Sequence, residues 1–155
     1  MRMQLPLGGF VLLILGATAA WPQEPAVKAT TLVKTAATIT GQKLEYPTKN
    51  PEVTATLVEI PPGADVGWHE HPNIRYVYVI EGTLTIEFEN GLRRDFTPGT
   101  IFVEALRTRH HGLNAGPAPL KVLFIDHSEK GQPNMIRTGP PKADDAKGPP
   151  PAAPK

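Results

Sequence analysis

His69 and His71 stand one residue apart, and a third histidine, His110, lies far along the chain. Alternate side chains of a β-strand leave from the same face, so a His-x-His pair in a strand aims both rings in one direction. A third imidazole from a distant strand would complete a nitrogen site for a divalent ion, with coordination positions left open. Such a site polarises a substrate oxygen, activates bound water or carries oxygen chemistry, according to the metal. The chain has no cysteine, which excludes disulfides, thiolate ligands and cysteine nucleophiles. Any metal is then held by nitrogen and oxygen alone.

Strands are the elements that must position these rings. Turn signals recur at short intervals: Pro61-Pro62-Gly63, Glu81-Gly82, Asn90-Gly91, Pro98-Gly99 and Gly116-Pro117. Between them, residues 53–60, 74–80, 83–88, 100–103 and 120–125 are strand-length and rich in β-branched and aromatic types. Leu84, Ile86 and Phe88 alternate with Thr83, Thr85 and Glu87, the pattern of a half-buried strand. Asn90-Gly91 tolerates positive φ, so 83–88 should fold back on 92–96 as a tight hairpin. There is no internal repeat and no convincing amphipathic helix. The expectation is an all-β sandwich or small barrel.

The two ends read differently. Arg2 precedes an apolar run over 5–15, broken by Pro6, Gly8 and Gly9, and Ala17-Thr18-Ala19 follows as a small-x-small pattern. These features predict a signal peptide over 1–20, cut near Ala19 or Ala20, and hence an exported (periplasmic or secreted) protein. The competing reading is an uncleaved N-terminal membrane anchor, because 5–21 nearly reaches spanning length. Without a twin arginine, export of an unfolded chain is expected. Residues 138–155 are rich in Pro and Ala with almost nothing to bury, which predicts a disordered tail. The layout is then signal peptide 1–20, N-terminal strand arm 21–52, barrel 53–137 and tail 138–155. At 155 residues there is room for one domain. The net charge of +1, with only a small cluster at Arg93, Arg94, Arg107 and Arg109, argues against nucleic acid and against an anionic membrane surface.

The segment from Gly63 through His69, His71 and Arg75 to Gly82 resembles the first signature of the cupin superfamily, Gly-x5-His-x-His-x3-Glu-x6-Gly. Gly99 to Asn114 resembles the second, Gly-x5-Pro-x-Gly-x2-His-x3-Asn, with His110 at its histidine. The resemblance covers nearly all of the folded part and implies a cupin-type double-stranded β-helix, or jelly roll. It implies His69, His71 and His110 as ligands of one divalent metal. Family likeness points to iron or manganese. A chain folding outside the cytoplasm is pulled toward zinc or copper by the stability order.

Three positions depart from the signatures. Ala105 and Arg107 replace the turn-forming proline and glycine, and Arg75 replaces the usual glutamate ligand. Arginine stays protonated and cannot ligate, so the site resembles that of the three-histidine cupins. Two readings of Arg75 follow. Either a carboxylate-bearing ligand bridges metal and guanidinium, making Arg75 an anion-recognition residue, or its head swings to the barrel mouth and into water.

Strand alternation turns His111 outward if His110 faces inward. His127 reads as a rim residue, and Glu104 as an ordinary surface glutamate or an acceptor for an imidazole N–H. Trp68 and residues of the 74–80 strand are expected to line a small apolar mouth. The resemblance implies a metal-dependent enzyme, oxygenase-like or isomerase-like, acting on a small molecule. A non-catalytic metal or ligand-binding protein is the alternative. The segment 29–46 could supply an exchanged edge strand for a homodimer, and a monomer with a covered edge fits as well.

Overall fold

The computed structural model describes residues 26–142. The expected signal peptide and all but the first residues of the expected tail lie outside the described residues. Two compact units divide the chain, Met1–Thr30 and Thr31–Lys155. Of the first, only 26–30 are described, and they form no regular structure.

In the second unit the regular structure among the described residues is β-strand throughout, with no helix long and apolar enough to cross a membrane. The strands are β1 (Pro51–Ile60), β2 (His69–Glu70), β3 (Ile74–Glu81), β4 (Leu84–Phe88), β5 (Arg93–Phe96), β6 (Ile101–Val103), β7 (His110–Leu113), β8 (Leu120–Glu129) and β9 (Ile136–Arg137). They form two antiparallel sheets, ordered β1-β8-β3-β6 and β5-β4-β7-β2-β9. The expected all-β class is what is seen.

The core lies between the inner faces. Val77 and Val79 from β3 and Leu120 and Val122 from β8 meet Leu84, Ile86 and Phe88 from β4, all buried. Period-two alternation produces this arrangement, since every second residue of each strand faces the opposite sheet. Thr85 departs from the alternation: it is buried on the other face of β4, where its hydroxyl donates to Asp95 at 2.7 Å.

The expected hairpin of β4 and β5 forms, with Leu84 opposite Phe96 and Glu87 opposite Arg93. Its turn is one residue longer than a two-residue loop. Only Gly91 takes positive φ, and the Phe88 N–H bonds to the Leu92 carbonyl at 2.8 Å. That is the three-residue loop with glycine in the left-handed position. Gly82 is constrained more severely. A Cβ there would lie 2.8 Å from the Pro119 carbonyl oxygen, and its φ is +75°. Only glycine allows β3 to turn into β4 so close to the start of β8.

Ahead of β1, residues 31–50 form no strand, only an isolated bridge between Ala37 and Lys43. β1 itself begins at Pro51. This segment nevertheless contributes to the core through Ile39, whose N–H bonds to the Val103 carbonyl at 2.8 Å. The Gln42 side chain imitates a strand residue: its Oε1 accepts the Leu106 N–H at 2.8 Å while its Nε2 donates to the Leu106 carbonyl. The loop between β6 and β7 is thereby clasped from outside.

Arg107 stands in that loop where the signature has glycine, and it takes the conformation glycine would take, with φ +46°. Its N–H bonds to the His71 carbonyl at 2.9 Å, which rewards the strained backbone. The left-handed region costs an L-residue roughly 1–2 kcal/mol, and glycine returns part of the gain through its freer unfolded chain. Arg107→Gly is therefore expected to stabilise the fold by about 0.5–1 kcal/mol in urea denaturation. A loss of stability would mean that the Arg107 side chain, not its backbone, holds the loop.

Candidate metal centre

β2, β7 and the residues just after β2 bring the three histidines together. His69 on β2 is the register partner of His110 on β7, so their rings leave side by side from the same face. His71 follows two residues later on that face, in a bridge beside Leu106. Ring centroids lie 4.9 Å (69–71), 4.6 Å (69–110) and 5.2 Å (71–110) apart. One nitrogen from each ring lies within 4.8 Å of the others, and all three residues are buried.

Backbone carbonyls orient the rings. The Nδ1 of His69 lies 2.7 Å from the Gly67 oxygen, that of His71 2.8 Å from Asn134, and that of His110 2.7 Å from Thr108. A carbonyl accepts only, so each Nδ1 carries a proton, and in the neutral form of the ring Nε2 presents its lone pair. This is the second-layer arrangement that fixes metal-binding imidazoles. Burial pushes the His69 imidazole down to about 4, which keeps its nitrogen neutral near pH 7.

A carboxylate joins the rings. Glu104, directly after β6, is only 5% exposed, and its oxygens lie 3.1 Å from His71 Nε2 and 3.3 Å from His110 Nε2. Neither contact has the alignment of a hydrogen bond: His71 Nε2, His110 Nε2 and Glu104 Oε2 are buried without partners. Burial alone would raise the Glu104 carboxyl, but the facing imidazoles hold it well below the usual carboxylate range. Burial would likewise lower His110, yet Glu104 outweighs it and the imidazole is raised. Lone pairs and a carboxylate converging with nothing to donate to them form a cradle that calls for a cation. The donors suit a divalent ion.

Arg75 does not turn its head into water. It forms a bidentate pair with Asp126 on β8, Nε to Oδ1 at 2.7 Å and Nη2 to Oδ2 at 3.0 Å. Both side chains are largely buried, and the guanidinium carbon sits 4.7 Å from the Phe124 ring centroid. The head in water is thus corrected, because Asp126 offers a buried counter-charge one strand away. Asp126 was missed in the sequence. Its signal was the inward alternation Leu120, Val122, Phe124, which continues to Asp126 and places an acid where only a paired one survives.

The other sequence candidates separate cleanly. His111 turns outward as expected, its Nδ1 2.7 Å from Asp65 Oδ2. His127 packs edge-on with Tyr46 and Tyr76, whose hydroxyls bond to each other, and is no ligand. Trp68 stacks on His111 at 4.3 Å and does not line the site. From β3 the cavity wall receives Arg75 only. Glu104, expected on the surface, is buried in the site. Asn114 has a structural part: its Nδ2 donates to the carbonyls of Ile60 (2.9 Å) and Ala118 (2.8 Å), pinning the end of β1 to the turn after β7.

A cavity of about 200 Å³ opens onto this centre, bounded by His69, Glu104 and Arg75 and by apolar groups including Val58, Leu84 and Phe124. A larger groove of about 640 Å³, near Tyr46, Asn73 and Arg107, touches none of the three histidines. The smaller cavity is the one with chemistry at its floor.

The two facing sheets and the inward histidines define a cupin fold. Residues 56–126, a little under half of the chain, match the family model of the cupin domain, Cupin_2. No curated protein matches this sequence. Among solved structures, a DMSP lyase from Ruegeria pomeroyi DSS-3 is 19% identical over 57% of this chain and 44% of that one, with a TM-score of 0.49. An oxalate decarboxylase from Lactobacillus farciminis in complex with formate is 24% identical over 55% of this chain and 26% of that one, TM-score 0.47. A cupin domain from Bordetella pertussis Tohama I is 22% identical over 55% of this chain and 98% of that one, TM-score 0.44. This chain spans under half of the length of the DMSP lyase and about a quarter of the decarboxylase.

Proposed function

We propose that this chain is an exported, metal-dependent enzyme of cupin type that converts a small carboxylate-bearing molecule. The observation that carries the proposal is the convergence of three buried imidazoles, one of which, His69, lines a small, mostly apolar cavity together with Glu104. His69, His71 and His110 would hold iron, manganese, zinc or copper. Such an ion supplies Lewis-acid polarisation of a substrate oxygen and, for the redox-active metals, reaction with dioxygen. Both an oxygenase-like and an isomerase-like reaction fit that chemistry.

The protein's own groups do the selecting. Asp126 occupies Nε and Nη2 of Arg75, and Nη1 makes no hydrogen bond to protein among the described residues. A substrate carboxylate can dock there while another of its oxygens reaches the metal. Val58, Leu84 and Phe124 exclude water and accept a short carbon skeleton. The cavity volume limits the substrate to a few non-hydrogen atoms beyond its acid group. Export rests on the apolar, small-residue-flanked N-terminus. The same ligands would serve a metal-storage protein, which differs in offering no exchangeable position.

Two measurements on the natively exported protein test the reading. Elemental analysis is expected to find metal in the parent and little in His69→Ala and His110→Ala. A small chelating acid should then perturb the bound metal's absorption or EPR spectrum, less so in Arg75→Met. A metal that ignores the acid turns the reading toward storage, and a parent that takes up no metal removes it.

A further inference from the structure

We infer that Glu104 is a fourth metal ligand, which supplies from β6 the carboxylate that Arg75 displaces on β3. This rests on the metal reading above. The register gives the reason. Tyr76 pairs with Val103, and the Glu104 N–H bonds to the Arg75 carbonyl at 2.9 Å, so Glu104 and Arg75 are neighbours at one level of the sheet. Residues at one level of neighbouring strands point to the same face, here the inner one, and both line the cavity with His69. Arg75 is also the register partner of Asp126 on β8. Asp126, Arg75 and Glu104 thus form a row across three strands, with the positive charge in the middle.

The row is not shared evenly. Both hydrogen bonds of the guanidinium go to Asp126, whereas the Glu104 carboxylate turns to His71 and His110. It meets the Nε2 atoms, not the Nδ1–H groups, which are spent on backbone carbonyls. An acceptor supporting the rings from outside would sit at Nδ1. A carboxylate against the same nitrogens that would bind the ion belongs with the donors themselves. Its unpartnered Oε2 points the same way. Asp126 then has a positioning part: it keeps Arg75 from pairing with Glu104 and drawing the carboxylate off the metal.

The test is metal binding, read without turnover. Metal-free full-length protein is titrated with Co²⁺ and Mn²⁺ by calorimetry, and the Co²⁺ absorption spectrum is recorded. The parent is expected to bind one ion per chain. Glu104→Gln should bind on the order of 100-fold more weakly, at least the upper end of what supporting groups contribute, with altered Co²⁺ bands. Glu104→Asp, which keeps a shortened carboxylate, should fall between. Circular dichroism establishes that each variant is folded. The unsubstituted chain provides a check that needs no variant: a carboxylate stretch in the difference infrared spectrum should shift on metal addition. Parent-like affinity and spectrum in Glu104→Gln, or no carboxylate shift, overturns the inference and leaves the three-histidine reading intact. A parent that binds neither ion overturns both.

Discussion

Asp126→Ala is expected to destabilise the metal-loaded protein by about 3–5 kcal/mol, the range for stripping one partner from a buried ion pair. The loss comes from what remains. Arg75 keeps its charge, with its side chain only 11% exposed, and loses both charge-assisted hydrogen bonds. The carboxylate on its other side, Glu104, would be engaged at the metal. In the metal-free protein the guanidinium can turn to Glu104, so the same substitution should be milder there. By linkage, that difference is also the loss of metal affinity that the substitution brings. Replacing both partners, as in Arg75→Met with Asp126→Leu, removes the stranded charge and should recover most of the stability. Urea denaturation of the four proteins, with and without metal, measures each step. If Asp126→Ala stays within about 1 kcal/mol of the parent in the loaded form, the pair is not what neutralises Arg75.

Metal itself should raise the thermal midpoint steeply. The cradle of Nε2 lone pairs and the Glu104 carboxylate is electrostatically incomplete, and an ion that binds only the folded state stabilises it by mass action. At about a thousand times the dissociation constant the gain is about 4 kcal/mol, on the order of 15 °C for a domain of this size. His110→Ala should abolish the rise, since it deletes the ligand that touches both β2 and the carboxylate. Differential scanning fluorimetry of parent and variant, with added and with chelated metal, makes the comparison. A midpoint indifferent to every divalent ion tried, or the same rise in both proteins, sinks the metal centre.

The ligand histidines were legible because period-two geometry and turn glycines are local. His69, His71 and His110 could be placed on one face from spacing and resemblance alone, and His111 could be turned outward by the same alternation. The hairpin at Asn90-Gly91 was legible for the same reason, though its three-residue loop sets the register one residue away from that of a two-residue turn. What the sequence hid was lateral. Which strand lies beside β3, and at what level, depends on the sheet order β1-β8-β3-β6, and no local pattern encodes it. Hence Asp126 went unrecognised, and Glu104 was read as a surface residue or an acceptor for an imidazole N–H and not as a neighbour of Arg75. A trace was present in both: each is a lone acid in an apolar stretch, Glu104 after Ile101-Phe102-Val103 and Asp126 after Val122 and Phe124. The segment before β1 makes a side-chain clasp at Gln42 that no local pattern announces.

That clasp bears on the order in which the molecule can be assembled. Gln42 and Leu106 are 64 residues apart, and β1 and β8 pair over a comparable separation. The Gln42 side chain meets Leu106 only when the far loop is brought up to it. Distant closures of this kind slow folding, because the entropy of bringing the ends together is lost before any contact compensates. The sheet β1-β8-β3-β6 is consequently completed late, when β8 inserts between β1 and β3.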